Sequence, residues 1–246
     1  MNIDLMNTII TAGTSIVVVI LSQTLIRQRE RKQALENDRA CLCNEYINPI
    51  RFMLAENYYR VNKIARQVKE TGKSKDILVI GKETDVLDKN PEWFVEDGCY
   101  LISSCYLTAC LFAYMEKMRK GIPFFRISRY KDTQLTYIIN KLVVDFSANL
   151  NIYYVIQMNI GKECYIKDEQ RVLSYREFCE LLKNKENFKW YKSLIAYYLR
   201  IGRGEYKEMK YLLVHISQLS RYLDNLVKGG DSIKQKILAE ENPDRD

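Results

Sequence analysis

His215 is the single histidine in 246 residues, so metal sites built on several imidazoles and paired-histidine acid–base chemistry are out of reach of this chain. Val214 and Ile216 flank it, which places it in an apolar helical stretch where a lone imidazole packs and hydrogen-bonds. Nucleophilic chemistry would fall to the seven cysteines, Cys41, Cys43, Cys99, Cys105, Cys110, Cys164 and Cys179. A thiol attacks as its thiolate and needs a neighbouring base or cation to form it. Cys164 or Cys179 with His215 is the one Cys–His pairing on offer, and no local motif announces it. Cys41 and Cys43 stand two apart, about 200° around a helix, and do not make the CxxC pair of zinc or redox sites. The odd number of cysteines, several within apolar runs, suits reduced buried thiols in a cytoplasmic compartment.

Phosphate-cradling glycine loops and the G-x-S-x-G hydrolase elbow do not occur. Gly202-Arg203-Gly204 looks superficially like a small anion nest but reads better as a turn between helices. The acidic pairs Glu96/Asp97 and Asp168/Glu169 are adjacent in sequence, which does not make their carboxylates converge. No catalytic residue, cofactor or metal is expected, and a non-catalytic role is preferred. The 18 tyrosines alternate with basic residues at Arg126–Lys131, Lys189–Lys192 and Arg200–Lys210, a pattern that can stack single-stranded nucleic acid. Each cluster is short, the net charge is only +7, and tyrosine is also an ordinary packing residue, so nucleic acid is not the expected partner.

The elements that must position these groups are helices. With 10 glycines and 4 prolines, turn-rich β architecture is disfavoured, and the fold class expected is all-α, with room for a short strand or hairpin. Apolar residues recur at three- and four-residue steps from Leu35 through Val68, interrupted by Pro49, so two helices are expected to meet near Asn48. Residues 71–90 read as a linker containing a short apolar run, Ile77–Ile80. Asn90 and Pro91 mark a helix entry, and the helix predicted over Pro91–Lys120 contains an uncharged stretch, Gly98–Met115. That stretch approaches the length of a membrane crossing, yet its tyrosines, serines and threonine favour a buried core helix. Further helices are predicted over Lys131–Ala148, after a capping box at Ser174 and Glu177, over Phe188–Arg200, and over Glu205–Lys228 with Gly229 as terminator. Asn149–Asp168 is compatible with strand or helix.

The strongest single feature lies at the beginning. No charge occurs between Asp4 and Arg27, and residues 8–26 would span roughly 28 Å as a helix, about the hydrocarbon thickness of a bilayer. A membrane anchor is expected in preference to a cleaved signal peptide, because no Lys or Arg precedes the apolar run. Arg27, Arg29, Arg31 and Lys32 follow at once. By the positive-inside rule they keep the remainder cytoplasmic and leave residues 1–7 outside, and they are placed to touch anionic headgroups. Thr8, Thr11, Ser15 and Ser22 fall along one helical face, a small polar stripe suited to self-association.

The expected organisation is therefore an outer segment 1–7, a transmembrane helix 8–26, juxtamembrane helices 27–70, a linker 71–90, a helical cytoplasmic domain 91–240 and a frayed tail 241–246. The expected function is partner binding or homo-oligomerisation at a lipid bilayer. The alternatives are an oligomerising, membrane-disrupting or channel-forming effector, and an enzyme of unrecognised type.

Overall fold

A computed structural model describes residues 3–121, 129–148, 152–205 and 209–226 of the chain, with the side chains of 3–20, 35, 39 and 129–132 outside the description. Two compact units emerge, Met1–Glu45 and Tyr46–Asp246. The first is built on one helix, α1 (Ile3–Leu42). At 1.5 Å per residue, forty residues make a rod about 60 Å long.

Pro49 acts as predicted in ending one helix and opening another, but without an open turn. The chain passes through a π-helical segment, Cys43–Ile47, into α2 (Asn48–Thr71), with the proline in its first turn. Widening the helix just before the proline eases the clash between its ring and the carbonyl four residues back. At the other end Gly72 adopts φ +77° and donates its N–H to the Val68 carbonyl at 2.8 Å, the left-handed cap that stops α2.

The centre of the second unit is α3 (Cys99–Gly121). Leu101, Ile102, Cys105, Ala109, Cys110, Leu111, Phe112 and Met118 are all buried, on every side of the helix, which is the signature of a core element. By length and composition α3 could cross a membrane, but its apolar surface is covered by α2, α5 (Tyr154–Glu163) and α7 (Lys185–Gly202). The buried-core expectation for Gly98–Met115 therefore describes this unit. The helix starts later than predicted: Asn90 accepts from the Trp93 N–H at 3.1 Å, yet what it caps is a short 3₁₀ turn, Glu92–Phe94. The Trp93 ring then lies so close over Gly98 that a Cβ there would meet it at 2.5 Å.

Residues 71–90 are not a spacer, and Ile77–Ile80 forms no strand. Ser74, Ile77 and Val86 are fully buried, the Ser74 N–H donates to the Gly202 carbonyl at 2.7 Å, and a 3₁₀ helix covers Glu83–Asp88. The polar composition that suggests a linker belongs to backbone-bonded turns, while the few apolar residues between them plug the end of α7. Gly202-Arg203-Gly204 is the turn expected of it. Gly204 takes φ +74°, and Arg203 uses its guanidinium to donate to the Gly81 carbonyl at 2.6 Å.

Helix α4 covers Arg129–Ala148; of the apolar face Leu135, Ile139, Leu142, Val143 and Phe146 that its spacing predicts, all are buried except Val143, which is half-buried. The ambiguous segment resolves into α5 followed by a hairpin, β1 (Tyr165–Ile166) paired antiparallel with β2 (Arg171–Val172). The capping box is present: the Glu177 N–H donates to Ser174 Oγ at 3.3 Å and the Ser174 N–H to Glu177 Oε2 at 2.6 Å, opening α6 (Tyr175–Lys183). The last described helix, α8 (Met209–Leu226), buries Leu212, Ile216, Leu219 and Leu223 against α2 and α4. The predicted terminator Gly229 and the tail 241–246 lie outside the described residues.

Candidate functional site

The residues expected to act at the membrane all fall on α1. Thr8, Thr11 and Ser15 belong to its helical backbone, with side chains outside the described residues, and Ser22 is exposed. Arg27, Arg29, Arg31 and Lys32 are exposed as well, and at 100° per residue they spread around the helix as a collar. Lys32 reaches Glu36 at only 4.0 Å.

Within the second unit the sequence-level candidates for chemistry do not converge. His215 Nδ1 lies 2.6 Å from Asp145 Oδ2, an α8-to-α4 contact. Burial raises the Asp145 carboxyl above its ordinary value despite the imidazole. Cys164 lies 3.7 Å from the Tyr191 hydroxyl, and burial pushes its thiol up to about 12. Cys179 is pushed up to about 11 by the same cause. These thiols are held protonated, the opposite of what an attacking cysteine needs. Tyr191, the tyrosine of the Lys189–Lys192 cluster, is buried and serves the core, while Tyr206 of the Arg200–Lys210 cluster lies outside the described residues. The Arg126–Lys131 cluster falls outside the described side chains.

Two buried polar links were invisible to sequence reading. Thr108 donates to Asn57 Oδ1 at 2.7 Å and sits 2.7 Å from the Tyr198 hydroxyl, tying α3 to α2 and α7. Arg51 on α2 pairs with Asp224 on α8, both nearly inaccessible to solvent.

The concavity with the most coherent chemistry is a groove of about 670 Å³. Its floor is made of small residues, Ala113, Gly121 and Gly161, because α5 crosses α3 at backbone distance: a Cβ on Gly161 would stand 2.7 Å from the Phe112 carbonyl oxygen. Its rim carries Lys117 and Lys120 from α3, Lys162 from α5 and Lys167 from the hairpin, with Tyr46 and Tyr165 as walls and Glu116 as the one acid among the described residues. Lys117 Nζ is held between the two rings, 4.9 Å from Tyr46 and 5.1 Å from Tyr165. Glu116 is engaged by Lys120 at 3.1 Å. Among the described residues Lys162 and Lys167 form no ion pair.

A second concavity of about 460 Å³ contrasts with it. Its lining sets the cations Arg60 and Lys75 beside the carboxylates of Asp76, Glu96 and Asp97; Arg60 and the neighbouring Lys63 flank the Tyr100 ring at 4.4 and 4.5 Å, and Lys63 is paired with Asp76 at 3.0 Å. Its charges are already balanced, whereas the lysine groove keeps a surplus of positive charge. No sequence motif marks that groove, since its cations come from positions scattered between 117 and 167. No protein-family model, no curated protein and no solved structure matches this chain.

Proposed function

We propose that this chain is a single-pass membrane protein: residues 8–26 of α1 cross the bilayer, the N-terminus is outside, and the helical unit from Tyr46 onward works on the cytoplasmic side by binding a partner or by self-assembly. The observation that supports this reading is the state of α1. It forms a unit of its own, and Leu21, Leu25 and Ile26 are 57%, 56% and 53% exposed. Covering side chains of this kind is worth about 1.5–3 kcal/mol each, so lipid or another copy of the chain is a favoured cover for the end of this uncharged run. The collar Arg27, Arg29, Arg31 and Lys32 supports the orientation, since cations beside a span stay on the cytoplasmic side. The stripe Thr8, Thr11, Ser15 and Ser22 is the surface through which copies would associate. A channel built with α3 as a second span is disfavoured, because exposing α3 to lipid would dismantle the core around it.

Cys41 supplies the test. Its thiol is exposed, whereas Cys105, Cys110 and Cys164 are buried. In sealed vesicles of known orientation an impermeant maleimide should label Cys41 only from the cytoplasmic face, and the chain should stay with the membrane after alkaline carbonate washing. Recovery in the aqueous fraction, or labelling from the outer face, refutes the reading. Crosslinking that yields monomer alone, unchanged in Ser15→Leu, removes self-association through the stripe.

A further inference from the structure

We propose that the groove between α3, α5 and the hairpin is a binding site for a phosphate-bearing anion, held by Lys117, Lys120, Lys162 and Lys167. Like charges repel, and four ammonium groups around one concavity, with a single carboxylate among the described residues that line it, leave a local surplus that a bound anion would neutralise. The charges are also arranged rather than merely near. Lys117 is fixed between two tyrosine rings, which limits the rotamer freedom lost when it engages a ligand. Lys120 leans on Glu116 and can turn toward an anion while keeping that carboxylate as its orienting partner.

Lysine is a compact cation with three donors, suited to the separate oxygens of phosphate or pyrophosphate, and several such cations favour a multiply charged ligand over a single carboxylate. The groove volume, about 670 Å³, lies in the range of sites that take small molecules of nucleotide size. The small residues on the floor keep this space open, and Gly161 is required there by the backbone approach of α5 to α3. This assignment does not depend on the membrane reading. Phosphate of this kind reaches a protein either on a soluble molecule or on a lipid headgroup, and the test separates the two.

The full chain in neutral detergent is titrated calorimetrically with inorganic pyrophosphate and ATP in one arm, and with short-chain phosphatidylinositol phosphate against short-chain phosphatidylcholine in the other. Saturable binding in either arm is expected. It should weaken as salt rises, and about tenfold or more in Lys162→Gln/Lys167→Gln. Both lysines are exposed, so the double variant should melt at the same temperature as the parent. Neutralising Arg27, Arg29, Arg31 and Lys32 instead should leave the affinity unchanged, which separates the groove from the collar on α1. Binding confined to the first arm identifies a soluble phosphate ligand, and binding confined to the second a headgroup. The proposal is overturned by three results: no saturable binding up to about 10 mM in either arm, affinity unaltered by the groove substitutions, or affinity abolished by the collar substitutions alone.

Discussion

Gly161→Ala probes both the fold and the groove that the fold creates. A methyl group at this position would lie 2.7 Å from the Phe112 carbonyl oxygen, 2.8 Å from its carbon and 3.1 Å from the Ala113 nitrogen. The first two contacts are more than about half an ångström short of ordinary packing distance, and the third is short by less. All three atoms are main chain of the central helix, so relief requires α5 to move off α3 as a body. Overpacking of this kind costs about 1–3 kcal/mol, and against it stands the gain of about 1 kcal/mol when alanine replaces glycine inside a helix. Two packed helices relieve a backbone clash less easily than a side chain does, so we expect the upper part of that range and a net loss of about 2 kcal/mol. For a chain of this size that corresponds to a melting temperature lower by about 4–8 °C. The measurement is thermal unfolding of the full chain followed by far-ultraviolet circular dichroism. Gly81→Ala serves as control, because a Cβ there meets only Asp85 Oδ2 at an ordinary 3.5 Å. A Gly161→Ala protein as stable as the parent, or more stable, would refute the close crossing of α5 on α3 and with it the origin of the groove floor.

Two further predictions concern links that hold the second unit together. Arg51→Ala strands Asp224 in a nearly inaccessible position and should cost about 3–5 kcal/mol in denaturant unfolding, whereas Arg51→Met combined with Asp224→Leu should recover most of that loss; equal stability of the single and double variants would contradict the pairing. Glu177 is held well below its ordinary value of 4.5 by the Arg171 guanidinium first and then by the Ser174 N–H. A carboxyl with a depressed native pKa binds fewer protons folded than unfolded near pH 4, so its contribution is present above pH 4.5 and fades as pH falls below it. Amide protection factors, the exchange rates referred to those of an unstructured chain at the same pH, should therefore fall in the hairpin and the first turn of α6 on acidification from pH 6 to pH 3 in the parent, and Glu177→Gln should flatten that dependence. The same acid response in both proteins would remove the argument.

Features that depend on neighbours along the chain were readable without coordinates. Ser174 and Glu177 are three apart and cap α6 because each reaches a backbone donor within the same turn. Pro49 separates two helices because its ring meets a carbonyl in the preceding turn, and the stripes on α4 and α8 follow from helical geometry alone. The polar letters of 71–90 read as a linker, but that polarity is satisfied by hydrogen bonds to Gly202 and within the segment's own turns, and its buried residues Ser74, Ile77, Ile80 and Val86 are too few to reveal themselves as a pattern.

Composition and spacing were enough to show that the protein is helical, where most helices lie, and that residues 8–26 carry no charge and are followed by a basic collar. Folding was needed to enclose α3 between α2, α5 and α7, to bring His215 to Asp145 rather than to a cysteine, to pair Arg51 with Asp224, and to gather Lys117, Lys120, Lys162 and Lys167 around one groove. The difference lies in the range over which the interactions act. Capping and periodicity act within one or two turns, so they are written in adjacent letters. A groove assembled from α3, α5 and a hairpin exists only after the chain has reversed direction between them, and nothing local to Lys117 specifies that Lys167 will stand across from it.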